Sequence, residues 1–148
     1  MSWILTLLAA VVIALLIRAL LFEPIRVDGE SMRDTLQDNE IVLVTKPDYL
    51  AGNFSIQGES SMLAAQAADV RPGMQALDCC AAPGGKTAYL AECMNGTGRV
   101  YAWDVHDHRV ALLRAMQKRL GLDNVRPAVR DATALREDMR GTMDVVLL

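Results

Sequence analysis

The twenty residues from Trp3 to Phe22, WILTLLAAVVIALLIRALLF, contain one charged side chain, Arg18. A helix of that length rises about 30 Å, the thickness of the hydrocarbon core of a bilayer. Apolar side chains occupy all of its faces, so it offers no stripe for packing against a soluble core. A cleaved signal peptide would have a shorter apolar region and a small-x-small cleavage site, whereas Phe22-Glu23-Pro24-Ile25 is bulky, charged and rigid. Residues 1–22 are therefore expected to form an uncleaved, single-pass membrane anchor. Arg18, about one turn from its end, would reach toward the headgroups. Orientation is weakly coded, since only Met1 and Ser2 precede the run.

The chain has 148 residues, room for about one ordinary domain. Its mean hydropathy of +0.19 is high for a soluble domain, and the excess lies in the apolar run. Net charge is −3. Residues 53–148 are balanced, so neither part is basic enough to indicate nucleic-acid binding by charge alone. Cys79, Cys80 and Cys93 form neither a disulfide framework nor a paired CxxC spacing, so no metal site is expected.

Past the anchor, Glu23-Pro24 breaks the helix, and IRVDG and EIVLVTK read as short strands flanking GESMRDTL. A serine in such a turn is ordinarily a hydrogen-bonding turn residue. An apolar anchor followed by FEPIRVDGESMRDTLQDNEIVLVTK nevertheless resembles the start of a bacterial type I signal peptidase. The resemblance implies that Ser31, beside Met32, is a nucleophile acting on secretory preproteins, although Asp34 stands where that family has Pro or a small residue. Such a serine needs a neutral lysine as base. Lys46, Lys86 and Lys118 do not fit that position, so residues 23–51 are expected to be a peptidase-like β fragment without its general base.

From residue 52 the texture changes. SIQGESSMLAAQAADV has helical periodicity, with Ile56, Met62, Leu63, Ala67 and Val70 able to share one face. Its Gly-Glu-Ser-Ser-Met is thus a helix entry, unrelated to the earlier Gly-Glu-Ser-Met turn. RPGMQALDCCAAPGGKTAYLAECM reads as strand, Gly-rich loop and helix, and TGRVYAWDVHDHRVALLRAMQKRLGL repeats strand and helix. NVRPAVRDATALREDM supplies a third strand with a short helical tail, and MDVVLL a fourth. The alternation predicts an α/β fold, a Rossmann-like parallel sheet of about four strands with helices on both faces. Ligands of such sheets bind beyond the carboxyl ends of the strands. Ala82-Pro83-Gly84-Gly85 would permit close backbone approach to a ligand, Asp104 would end the second strand and Asp131 the third. The spacing of APGGKT is not that of a phosphate P-loop.

Over residues 53–148 the chain resembles the ribosomal-RNA cytosine-5 methyltransferases of the Sun type, LDCCAAPGGKT being the most specific stretch. The resemblance implies S-adenosyl-L-methionine as cofactor and ribosomal RNA as partner. The loop Cys80, Ala81, Ala82, Pro83, Gly84, Gly85 and Lys86 would hold the methionine part, Asp104 the ribose, and Asp131 would lie near the adenine. It also implies catalytic cysteines beyond DVVLL, so the chain is expected to stop short of them and to be inactive in methyl transfer alone. A signal-peptidase serine works outside the cytoplasmic membrane and a methyltransferase inside it. The chain is therefore expected to be a fusion of fragments, residues 1–22, 23–51 and 52–148. A truncated membrane peptidase and a membrane-tethered cofactor module without catalysis are the alternatives.

Overall fold

The computed structural model describes residues 2–26, 41–134 and 136–148. These divide into two compact units, residues 1–54 and 55–148. Ser31 and its turn lie outside the described residues.

In the first unit, helix α1 (Ser2–Leu21) carries exposed Leu, Ile and Val on every face and is long and apolar enough to cross a membrane. Strand β1 (Phe22–Arg26) follows at once and pairs antiparallel with β2 (Ile41–Thr45), placing Phe22 opposite Thr45 and Arg26 opposite Ile41. Pro24 is tolerated because each strand of a two-stranded ribbon has a free edge. The short helix α2 (Lys46–Leu50) begins with Lys46, whose ammonium donates to the Ala19 carbonyl at 2.8 Å and lies 3.8 Å from Glu23. The last carbonyls of a helix have no partner within it, and Lys46 supplies one for α1.

The second unit contains α3 (Glu59–Ala67), β3 (Gln75–Asp78), α4 (Gly85–Cys93), β4 (Arg99–Asp104), α5 (Asp107–Leu120), β5 (Val125–Val129), a 3₁₀ turn (Glu137–Met139) and β6 (Val145–Leu147). The four strands form one parallel sheet in the order β5-β4-β3-β6. This is the expected α/β architecture.

Two expectations change in detail. Helices do not cover both faces: among the described residues the three helices share one. Steps from β3 to β4 and from β4 to β5 run in the same direction, so two right-handed crossovers place α4 and α5 on the same side. One row of side chains, Ala76, Val100 and Val125, is fully buried beneath them with Leu90, Met94, Val110 and Leu113. The neighbouring row on the opposite face, Leu77, Tyr101, Arg126 and Val146, is only partly covered or exposed. The second change concerns α3, which starts at Glu59 within the expected Gly-Glu-Ser-Ser-Met entry, with Gly58 at the N-cap and no side-chain cap there. Its buried contact is Ala65, whereas Met62 and Leu63 are exposed and Ile56 lies ahead of the helix. A close-packed helix pair selects for a small residue at the point of contact, and periodicity of large apolar residues does not reveal that.

Candidate functional site

Three loops leave the carboxyl edge of the sheet side by side, from β3, β4 and β5, and main-chain bonds tie each to its neighbour. The Ala81 N–H donates to the Trp103 carbonyl at 2.9 Å, and the Arg130 N–H donates to that of Asp104 at 3.0 Å. On the other flank the Cys79 N–H donates to the Leu147 carbonyl at 2.9 Å.

The first loop runs from Cys79 to Gly84 and feeds α4. Cys80 and Pro83 are exposed; Ala81 and Ala82 are buried and join the core cluster. Small side chains at Ala81 and Ala82 let the loop pack closely on the core. Gly84 has φ +118°, which L residues rarely adopt, and a Cβ there would stand 2.6 Å from Met116 Cε and 3.2 Å from Leu113 Cδ2. Gly85 faces the other way: a Cβ would meet nothing within 4 Å. The first glycine packs the loop onto α5, and the second leaves open space at the entrance of α4. Lys86 follows, half-buried.

Asp78, which closes β3, is absent from the residues singled out in the sequence. It is 2% exposed, and its Oδ2 accepts the Thr87 hydroxyl at 2.8 Å. Burial pushes its carboxyl above the usual carboxylate range, against the Thr87 hydroxyl, the Cys80 N–H and the Lys86 ammonium, which favour the charged form. The signal was legible, an acidic residue ending an apolar strand directly before a Gly-rich loop.

Asp104 ends β4 as expected and is 3% exposed. Its Oδ1 accepts the His106 N–H at 3.1 Å, and its Oδ2 lies 3.3 Å from the Arg109 guanidinium. Arg109 also donates to the Ala82 carbonyl at 3.1 Å, so one side chain from the first turn of α5 joins the β4 carboxylate to the β3 loop. The sequence marks the helix but not this reach.

Asp131 does not end a strand. β5 stops at Val129, and Asp131 stands two residues further on, exposed. Its Oδ1 accepts the Thr133 N–H at 2.9 Å and the Thr133 hydroxyl at 2.6 Å, which hold its carboxyl below the ordinary range. Asp131 lines a cavity of about 370 Å³ with Val105, Val129, Arg130, Ala134 and Arg136. That volume lies within the range of about 300–1,000 Å³ usual for small-molecule sites. Val105, Val129 and Ala134 give it apolar walls, to which Asp131 adds a carboxylate and Arg130 and Arg136 two cations. By strand order Asp104 stands between this cavity and the Gly84-Gly85 entrance.

The cysteines divide by environment. Cys79 is buried, and burial raises its thiol, the reverse of what activates a nucleophile. Cys80 lies exposed on the loop and Cys93 exposed at the end of α4. Among the described residues no group of three or more His, Cys, Asp or Glu could hold a metal ion.

Residues 64–148 match the family described as 16S rRNA methyltransferase RsmB/F, and residues 1–67 match the signal peptidase family, peptidase S26. A probable ribosomal RNA small subunit methyltransferase B of Bacillus subtilis is 47% identical over 81 residues, covering 55% of this chain and 18% of that protein. A methyltransferase homologue from Pyrococcus horikoshii superposes with a TM-score of 0.56 at 33% identity, over 75% of this chain and 36% of its own. NSun6 from the same organism, solved with SFG, gives a TM-score of 0.56 at 26% identity, over 71% and 30%. The chain thus spans about 11–22% of the length of the curated relatives it matches.

Proposed function

This chain belongs, through residues 64–148, to the 16S rRNA methyltransferase RsmB/F family, and from that premise we propose that its second unit binds S-adenosylmethionine as the cofactor part of an rRNA (cytosine-5) methyltransferase. One observation carries the reading: the Gly84-Gly85 entrance, Asp104 and the Asp131 cavity follow one another along three adjacent strand ends, β3 to β5. The order suits an elongated ligand with a charged amino-acid end, a sugar and a base. The solved relative with SFG supports the same assignment.

Each residue then has a role. The main chain of Cys80 to Lys86 receives the amino-acid part, with the first N–H groups of α4 favouring its carboxylate. Asp104, oriented by Arg109 and the His106 N–H, accepts from the ribose hydroxyls. Val105, Val129 and Ala134 sandwich the adenine, and Asp131 accepts from its amine. When bound, the cofactor supplies an electrophilic methyl group. The reading gives Cys79, buried and raised, no nucleophilic role. Isothermal titration of the full chain in detergent with S-adenosylhomocysteine tests the assignment. Saturable binding lost in Asp104→Ala is the expected result, and no binding by a folded wild-type protein refutes it.

For the first unit we propose that α1 anchors the chain in a membrane. A second reading, in which Ser31 acts as a peptidase nucleophile on secretory preproteins, is favoured by the family match over residues 1–67. Carbonate-resistant sedimentation with vesicles tests the anchor, and covalent labelling of Ser31 by a penem tests the nucleophile. Extraction by carbonate, or labelling that persists in Ser31→Ala, would sink the respective claim.

A further inference from the structure

Asp78 and Thr87 are the last residue of β3 and the third residue of α4, and between them lies the whole of the Gly-rich loop. Both side chains are buried, at 2% and 0% exposure, and one hydrogen bond of 2.8 Å joins them. We propose that this pair is a clasp that sets the conformation of residues 79–86, so that Asp78 and Thr87 are positioning residues for cofactor binding. The inference rests on the cofactor reading above and concerns two residues that the reading does not itself employ.

Three observations favour a clasp over ordinary core packing. An ionisable carboxyl in an apolar interior is an expensive way to finish a strand, and an uncharged residue of similar size would fold at lower cost. Its partner lies directly across the loop, so the bond closes a short ring of chain whose outer side is the proposed ligand surface. The loop otherwise touches the fold through its main chain, at Cys79, Ala81 and Ala82, and through small buried side chains. Those contacts fix the N–H groups of Cys79 and Ala81 but leave the direction of those at the α4 entrance, Gly85 and Lys86, to the closure at the loop's two ends. Lys86 and the Cys80 N–H both favour the charged form of Asp78, so the clasp gathers the start and finish of the loop around one carboxylate.

The experiment uses the full chain in detergent and four variants: Thr87→Val, Thr87→Ser, Asp78→Asn and the double Asp78→Asn/Thr87→Val. Three quantities are read: affinity for S-adenosylhomocysteine, the urea midpoint of the second unit, and hydrogen exchange of the 80–86 amides without ligand. Thr87→Val should weaken binding by about tenfold or more, the order expected for losing one hydrogen bond to a charged group. It should also lower the midpoint, because it strips a donor from a buried carboxylate. Thr87→Ser keeps the hydroxyl and should bind within about twofold of wild type. The double variant discriminates: removing the charge should restore the midpoint while affinity stays low and the loop amides stay fast-exchanging. Affinity that recovers together with the midpoint would make the pair merely structural and overturn the clasp. So would single variants that bind like wild type. A wild-type protein that binds no ligand, yet shows faster loop exchange in Thr87→Val and not in Thr87→Ser, would refute the cofactor reading and leave the clasp as a loop-ordering device.

Discussion

Replacing Gly84 with alanine perturbs the fold where two separable costs meet. The first is conformational: φ +118° lies where an L residue is strained by about 1–3 kcal/mol. The second is steric, since the new Cβ would come to 2.6 Å from Met116 Cε and 3.2 Å from Leu113 Cδ2. Met116 presents the free end of a flexible chain and can swing aside, whereas Leu113 is fully buried and cannot. Overpacking of this kind costs about 1–3 kcal/mol, and the flexible partner places this case at the lower end. The expected total is about 2–4 kcal/mol. With a urea m-value of about 1–3 kcal/mol/M, the midpoint of the second unit should fall by about 1–2 M. Trp103 is buried and reports the transition by fluorescence, while Trp3, exposed on α1, adds a nearly constant background. Combining Gly84→Ala with Met116→Ala should recover about 1 kcal/mol relative to the sum of the single variants, because only the steric part is relieved. A Gly84→Ala variant within about 0.5 kcal/mol of wild type would refute the reasoning, since neither cost would then exist.

Three further outcomes are expected. Arg109→Ala leaves the Asp104 carboxylate buried without its cation; because the Arg109 side chain is 43% exposed, solvent screening reduces the loss to about 1–2 kcal/mol, read by urea unfolding, and a neutral result would contradict the bridge to Ala82. Asp131→Asn should weaken S-adenosylhomocysteine binding in titration while leaving the unfolding midpoint unchanged, and unaltered affinity would remove Asp131 from the site. Burial raises the folded-state pKa of Asp78, so its contribution to stability is fully present below the ordinary carboxylate value and is lost as pH rises through the raised one. The stability of wild type relative to Asp78→Asn should therefore be greater near pH 4 than near pH 7, and a difference that grows with pH would reverse the assigned shift.

What the sequence made legible, and what it did not, follows from the range of the forces involved. Strand, loop and helix repeat locally, so QALD followed by CCAAPGGK, and RVYAWD by a helical pattern, declared the parallel sheet and its carboxyl edge. The glycines and Asp104 stood out because their roles depend on main-chain position. Arg109 did not, because its partners at Asp104 and Ala82 belong to two different loops that only the assembled sheet brings together. Asp78 was hidden by its setting, a polar end to an apolar run, although its place before the loop was a usable sign. The covered side of α3 was misjudged for a third reason, since Ala65 is chosen for closeness of approach and Met62 and Leu63 drew attention only by size. Asp131 was assigned to the right loop but two residues too close to the sheet, the usual slack in locating a strand end.

The attachments of the loop after β3 have a consequence for how this sequence can vary. Its bonds to the surrounding fold are made at Cys79, Ala81 and Ala82 by peptide groups that every non-proline residue carries. Selection on those positions is then a filter on volume rather than on chemistry. Serine or cysteine would be accepted at 81 and 82, and anything bulkier would lift the backbone from its bed. Cys80, which is exposed, escapes that filter and is free to drift unless a ligand constrains it. The stretch is thus a mixture of positions fixed by size and positions fixed by contact, and a randomised library over residues 79–86 would separate the two.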